Sequence, residues 1–121
     1  MKLSVFFGLA FALLAFCFFI RCGNKVHADK NEISQKIQNG ALVVDVRSVE
    51  EFASGHYEGA KNIPIDEVSA RLSEFGGDKN KDIVLYCRSG GRAETVKKML
   101  MNAGYVNVIN AGGLNHMPKV K

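Results

Sequence analysis

The stretch "IVLYCRSGGRAETVKKMLMNAGYVNVIN", residues 83–110, decides the fold. Its first five residues form an unbroken apolar run that ends in Cys87, as expected for a strand covered on both faces. "RSGG", 88–91, interrupts the run with two glycines. From Arg92 the period changes: Val96, Met99, Leu100 and Ala103 share one face of a helix over 92–105, closed by Gly104. "VNVIN", 106–110, reads as a further strand and "AGGL", 111–114, as a turn. A strand, a helix and a strand in succession is the unit of a parallel sheet.

The residues before this stretch repeat the alternation. "DKNEISQKIQNG", 29–40, sets Ile33 and Ile37 four apart and stops at a glycine, which predicts a helix. "ALVVDV", 41–46, is a second buried strand. "SVEEFASGH", 48–56, has the acidic first turn of a short helix, "AKNIPI", 60–65, is a strand end broken by Pro64, and "DEVSARLSEFGG", 66–77, places Val68, Leu72 and Phe75 at helical spacing. "DKNKD", 78–82, is a solvated turn. The expected fold is α/β, a central parallel sheet with helices on both faces.

The 121 residues allow one domain and a leader. Residues 3–20 are almost wholly apolar and follow Lys2, the order of a secretory signal peptide, and "VHA", 26–28, supplies a cleavage site. The expected organisation is therefore a signal peptide at 1–28 and a domain at 29–121, exported to the periplasm. The alternative is an uncleaved membrane anchor, since 18 apolar residues can just span a hydrocarbon core. Without Lys2, Arg21 and Lys25, the 16 Lys and Arg fall to 13 against 12 Asp and Glu. The formal charge drops from +4 to +1, so no nucleic-acid partner is implied. Cys17 and Cys22 also lie in the leader, and Cys87 is left alone, without an internal disulfide partner.

In an open parallel sheet the ligand crevice lies beyond the carboxyl ends of the strands, which is where Cys87 falls. Gly90 and Gly91 let the backbone curl so that successive N–H groups point inward, and the helix that follows adds its positive end to the same anion-binding cup. Those dipoles, together with Arg88 and Arg92, favour thiolate over thiol, so Cys87 is the candidate nucleophile. The plainer alternatives are an inert strand-end cysteine and two solvated arginines. Asp45 and Arg47 are expected to be structural, with Arg47 pairing with an acid such as Glu50 or Glu51.

At this point "LVVDVRSVEEFASGHYEGAKNIP", 42–64, and "IVLYCRSGGRAETVKKMLMNAGYVNVINAGGL", 83–114, resemble the two signature segments of the single-domain rhodaneses, or thiosulfate sulfurtransferases. The resemblance implies a rhodanese-like domain at 29–121. It implies sulfane-sulfur transfer from thiosulfate to a thiol or cyanide acceptor through a persulfide on Cys87. The loop backbone from Arg88 to Arg92, with Gly90 and Gly91, would cradle the persulfide, Ser89 would add a hydroxyl, and Arg88 and Arg92 would neutralise the departing sulfite. It implies no metal and no organic cofactor, a monomer, and small-molecule partners, with a membrane only if the leader is retained. His56 falls in a framework turn.

The chain departs from the family where many rhodaneses carry a tryptophan just after the "GG" turn: it has no tryptophan, and its last helix is expected to be short or absent. A Cys-dependent phosphatase is the rival enzyme. Such loops place five residues between cysteine and arginine, whereas four, Arg88 to Gly91, lie between them here. A non-enzymatic persulfide carrier or binding module is the alternative from another class.

Overall fold

The computed structural model of the chain describes residues 27–119. Of the expected leader only His27 and Ala28 are among them, and the rest lies outside the described residues. No helix among the described residues is long and apolar enough to cross a membrane.

Asp29 starts the first helix by accepting the Asn31 N–H at 2.9 Å. This helix, α1 (Lys30–Gln38), buries Ile33. Strand β1 (Leu42–Asp45) follows. Ser48 and Glu51 then form a reciprocal capping box around α2 (Val49–Ala53). Strand β2 (Lys61–Asn62) is two residues long. Strand β3 (Ile83–Cys87), helix α3 (Gly91–Asn102) and strand β4 (Val108–Gly113) complete the expected succession, and a 3₁₀ turn at Leu114–His116 follows in place of a last α-helix.

The four strands are parallel in the order β2-β1-β3-β4. Leu42 lies opposite Ile83 and Ile83 opposite Val108, so β3 is paired on both sides. Its side chains alternate between two cores. Ile83, Leu85 and Cys87 pack with Val96 and Leu100 of α3, and Val84 and Tyr86 pack with Ile33 of α1. All five are buried, each aliphatic one contributing roughly 1.5–3 kcal/mol. Coverage from both sides explains why the run carries no polar residue.

Two expected elements differ. Residues 66–77 do not form one helix but two 3₁₀ turns, Ile65–Glu67 and Leu72–Phe75. Val68 and Phe75 still reach the core, a demand that tight turns meet as well as a helix does. Val68, Ser69 and Ser73 favour a continuous helix only weakly, and Arg71 is drawn aside by a contact of its Nη2 with the Asn62 carbonyl at 3.3 Å. The second difference is at 111–113, expected as a turn, where β4 continues instead. Ala111 is fully buried, and Gly113 pairs with Cys87 after an irregularity between Leu85 and Cys87. A Cβ at Gly113 would lie 2.3 Å from the Arg88 carbonyl oxygen, so the missing side chain is what lets the strand run on against the loop.

Candidate active site

The end of β3 delivers Cys87 into the loop 88–91. Gly90, at φ +98°, takes a left-handed conformation that few other residues adopt. This turn aims the Gly90 N–H at Cys87 Sγ, 2.9 Å away. The cysteine is 1% exposed, while Arg88, Ser89 and Gly91 around it are exposed. The buried sulfur thus lies under an exposed loop whose Gly90 N–H points at it.

Burial alone pushes the Cys87 thiol up, but the Gly90 N–H bonded to the sulfur and the neighbouring backbone amides of Ala93, Ser89 and Arg92 outweigh it and leave the pKa below that of an ordinary thiol. Ser89 acts through its N–H. The backbone amides, and not the guanidinium groups expected to share this role, supply the leading contributions that favour thiolate. Alkylation of Cys87 by iodoacetamide is therefore expected to reach half its limiting rate below the pH of about 8.5 typical of a free thiol. Arg88→Gln should move that midpoint little. A midpoint at or above 8.5 would refute the amide cup.

The two arginines of the loop are not equivalent. Arg88 makes no ion pair among the described residues. Arg92 is held by Glu51 of α2, its Nη1 and Nη2 donating to Oε1 and Oε2 at 2.6 and 3.0 Å. That contact holds the Glu51 pKa at about 2 against the opposing pull of desolvation, with the Ser48 cap lowering it further. The stabilisation is thus complete above the ordinary carboxylate range and is lost progressively as pH falls from that range to about 2.

The expectation that Arg47 pairs with Glu50 or Glu51 is corrected, because Asp45 is nearer. Arg47 Nε donates to both Asp45 oxygens at 3.0 Å and Nη2 to Oδ2 at 2.7 Å, with both residues buried. Arg47 also donates to the Gly55 carbonyl at 2.7 Å and lies over the Tyr86 ring. The pair knits β1 to the segment after α2, a structural role. His56 stacks on Phe52 with 3.7 Å between ring centroids, and its Nδ1 sits 2.9 Å from the Phe52 carbonyl oxygen, which places it in the framework turn.

Sequence reasoning missed three residues that hold the loop. Buried Asn110 donates from Nδ2 to the Gly90 carbonyl and to Glu94, each at 3.0 Å, and accepts the Gly112 N–H at 2.9 Å. A polar residue closing the run "VNVIN" was the available signal. Glu51 had none, since its partner is far away in sequence. His27 packs so closely on the loop that a Cβ at Gly90 would lie 2.2 Å from its ring. Next to it, the Ala28 N–H donates to the Asn110 carbonyl at 2.8 Å. The expected Ala28–Asp29 boundary thus lies directly beside a docked segment.

A family model described as Rhodanese-like domain matches residues 29–116. Over 80 residues the chain is 42% identical to "Thiosulfate sulfurtransferase PspE" of Escherichia coli, a match covering 64% of this chain and 77% of that protein. It is 36% identical over 87 residues to "Sulfurtransferase" of Allochromatium vinosum, covering 70% and 79%. Among solved structures it is similar to "rhodanese with anions from E. coli", with TM-score 0.61, 40% identity, and 68% of this chain and 99% of that one covered. It is also similar to "Human Single Domain Sulfurtranferase TSTD1", with TM-score 0.65, 26% identity, and 74% and 91% covered.

Proposed function

Because the chain belongs to the rhodanese-like domain family, within its sulfurtransferases, we propose that it moves sulfane sulfur from thiosulfate to a cyanide or thiol acceptor through a persulfide on Cys87. The observation that carries this reading is the Gly90 N–H aimed at a buried, thiolate-favouring sulfur at the carboxyl end of β3. Cys87 thiolate attacks the outer sulfur of thiosulfate, the sulfur–sulfur bond of the donor breaks, and its electron pair leaves with sulfite. The negative terminal sulfur of the new persulfide takes over the cup, where the same amides stabilise it. An acceptor thiolate or cyanide then attacks that outer sulfur and restores the Cys87 thiolate. The cysteine is itself the carrier, and the cycle requires no other group.

Intact-mass measurement tests the first half-reaction. Exposure to thiosulfate should add one sulfur to the protein, and cyanide should remove it while forming thiocyanate. No mass gain overturns the proposal, and a gain that no acceptor removes favours a carrier without turnover. Turnover of p-nitrophenyl phosphate is expected to be negligible, because the ring with four residues between Cys87 and Arg92 is one short of that needed for a phosphoryl group. Insertion of a glycine between Gly90 and Gly91 should raise phosphate affinity and lower sulfur transfer; robust phosphatase activity in the unaltered protein would reverse the assignment. Export belongs to the same reading. N-terminal sequencing is expected to find Asp29, and a membrane-bound chain that keeps Met1 would replace this by an anchor.

A further inference from the structure

Arg92, in the first turn of α3 directly after the loop, is already engaged. Its forked contact with Glu51 uses the geometry an oxyanion would otherwise take. The two side chains are 34% and 31% exposed, so the pair is reached by solvent and can open. The thiolate of Cys87 is near enough to act on the Arg92 pKa, behind the larger effect of Glu51. Arg88 is then the one cation of the loop without an ion pair among the described residues. A doubly charged donor that takes Arg92 as well as Arg88 must displace Glu51 or settle beside its carboxylate.

We propose that Glu51 is a specificity-determining positioning residue: acting through Arg92, it disfavours dianionic sulfur donors and oxyanions relative to singly charged ones. Its application to donors rests on the sulfurtransferase reading above. Thiosulfate brings two negative charges to a thiolate, whereas an alkanethiosulfonate offers the same sulfane sulfur with one charge and leaves as a sulfinate. Repulsion from Glu51 scales with the charge that arrives, so the dianion bears about twice the cost. Glu51 has a second duty as the capping-box partner of Ser48, and glutamine can keep it, since its side-chain oxygen still accepts the Ser48 N–H.

Glu51→Gln therefore removes the charge and leaves the cap. The variant and the unaltered protein are titrated with sodium sulfate while the backbone amides of residues 88–92 are followed by NMR, and the KM values for thiosulfate and methanethiosulfonate are measured in parallel. Sulfate should bind roughly three- to tenfold more tightly to Glu51→Gln, in the range of a partly exposed ion pair released to a new partner. KM for thiosulfate should fall by a similar factor and KM for methanethiosulfonate by less. Combining the change with Arg92→Gln should abolish the gain. Damage to the fold would loosen binding, so tighter binding reports the charge. Sulfate affinity needs no turnover: a tighter site in a protein that transfers no sulfur would count against the proposed function and uphold the role of Glu51. Equal, weaker or undetectable sulfate binding in Glu51→Gln, or a gain that survives without Arg92, overturns the proposal.

Discussion

Replacement of Cys87 by serine is expected to bring sulfur transfer to background, a loss of about a thousandfold or more, with the domain still folded. A serine hydroxyl at this position remains almost wholly protonated near neutral pH, and its oxygen cannot carry a sulfane sulfur through the cycle, so the intermediate is lost along with the nucleophile. The fold should survive, because the serine oxygen can accept the Gly90 N–H that now meets the sulfur at 2.9 Å. Thermal unfolding should shift by no more than about 1 kcal/mol in stability. Steady-state assays with thiosulfate and cyanide check the first part, and calorimetry the second. Residual turnover above a tenth of the unaltered rate would remove Cys87 from the chemistry, and an unfolded variant would make the cysteine structural as well.

A different kind of loss is expected from Asp45→Ala. The carboxylate is fully buried and Arg47 is 7% exposed, and Asp45 also accepts the Arg47 backbone N–H at 2.9 Å. Removing it leaves a guanidinium in the interior with the Gly55 carbonyl and the Tyr86 ring as its remaining company. Stranding a buried charge in this way costs about 3–5 kcal/mol, which for a domain of this size lowers the melting temperature by roughly 15–25 °C. Replacing both partners, as Asp45→Leu with Arg47→Met, should recover most of that, because no charge is then left without water. Urea unfolding of the single and double variants decides the matter. A cost below about 1 kcal/mol for Asp45→Ala would mean that Arg47 finds water or another acceptor.

The parts of the molecule legible in sequence were those fixed by a local signal. Residues 83–87 could hardly be misread, since five consecutive apolar residues before two glycines admit few structures, and the cup followed from where that strand ends. The α1 boundaries were similarly visible in Asp29 and Gly40. Burial of Val68 and Phe75 was also foreseen, yet the helix was not real, because apolar spacing specifies which side chains turn inward and not how tightly the backbone winds between them. Strand β4 was cut short for a related reason: two glycines signal a turn unless a neighbouring chain presses so close that no side chain fits. Pairings across the fold were the least legible. Arg92 and Glu51 are partners only because α2 and the start of α3 meet at the sheet edge, and neither residue carries a mark of the other.

The placement of Cys87 on a strand paired on both sides also governs when its chemistry becomes available. The contacts that hold the cup in place, Asn110 on the Gly90 carbonyl and β4 against the loop, cannot form until the chain between Ile83 and Val108 has looped back, and β3 is covered by β1 only when the chain between Leu42 and Ile83 has done the same. Each closure gives up chain entropy before any strand pairing repays it, so the region assembles late and as a unit. Throughout that interval the sulfur is an ordinary accessible thiol, titrating near 8.5; once the sheet closes it is 1% exposed and activated. A pulse of alkylating agent applied at successive times during refolding thus has two reactive populations to find, and the moment at which one gives way to the other marks the docking of β1 and β4 on β3.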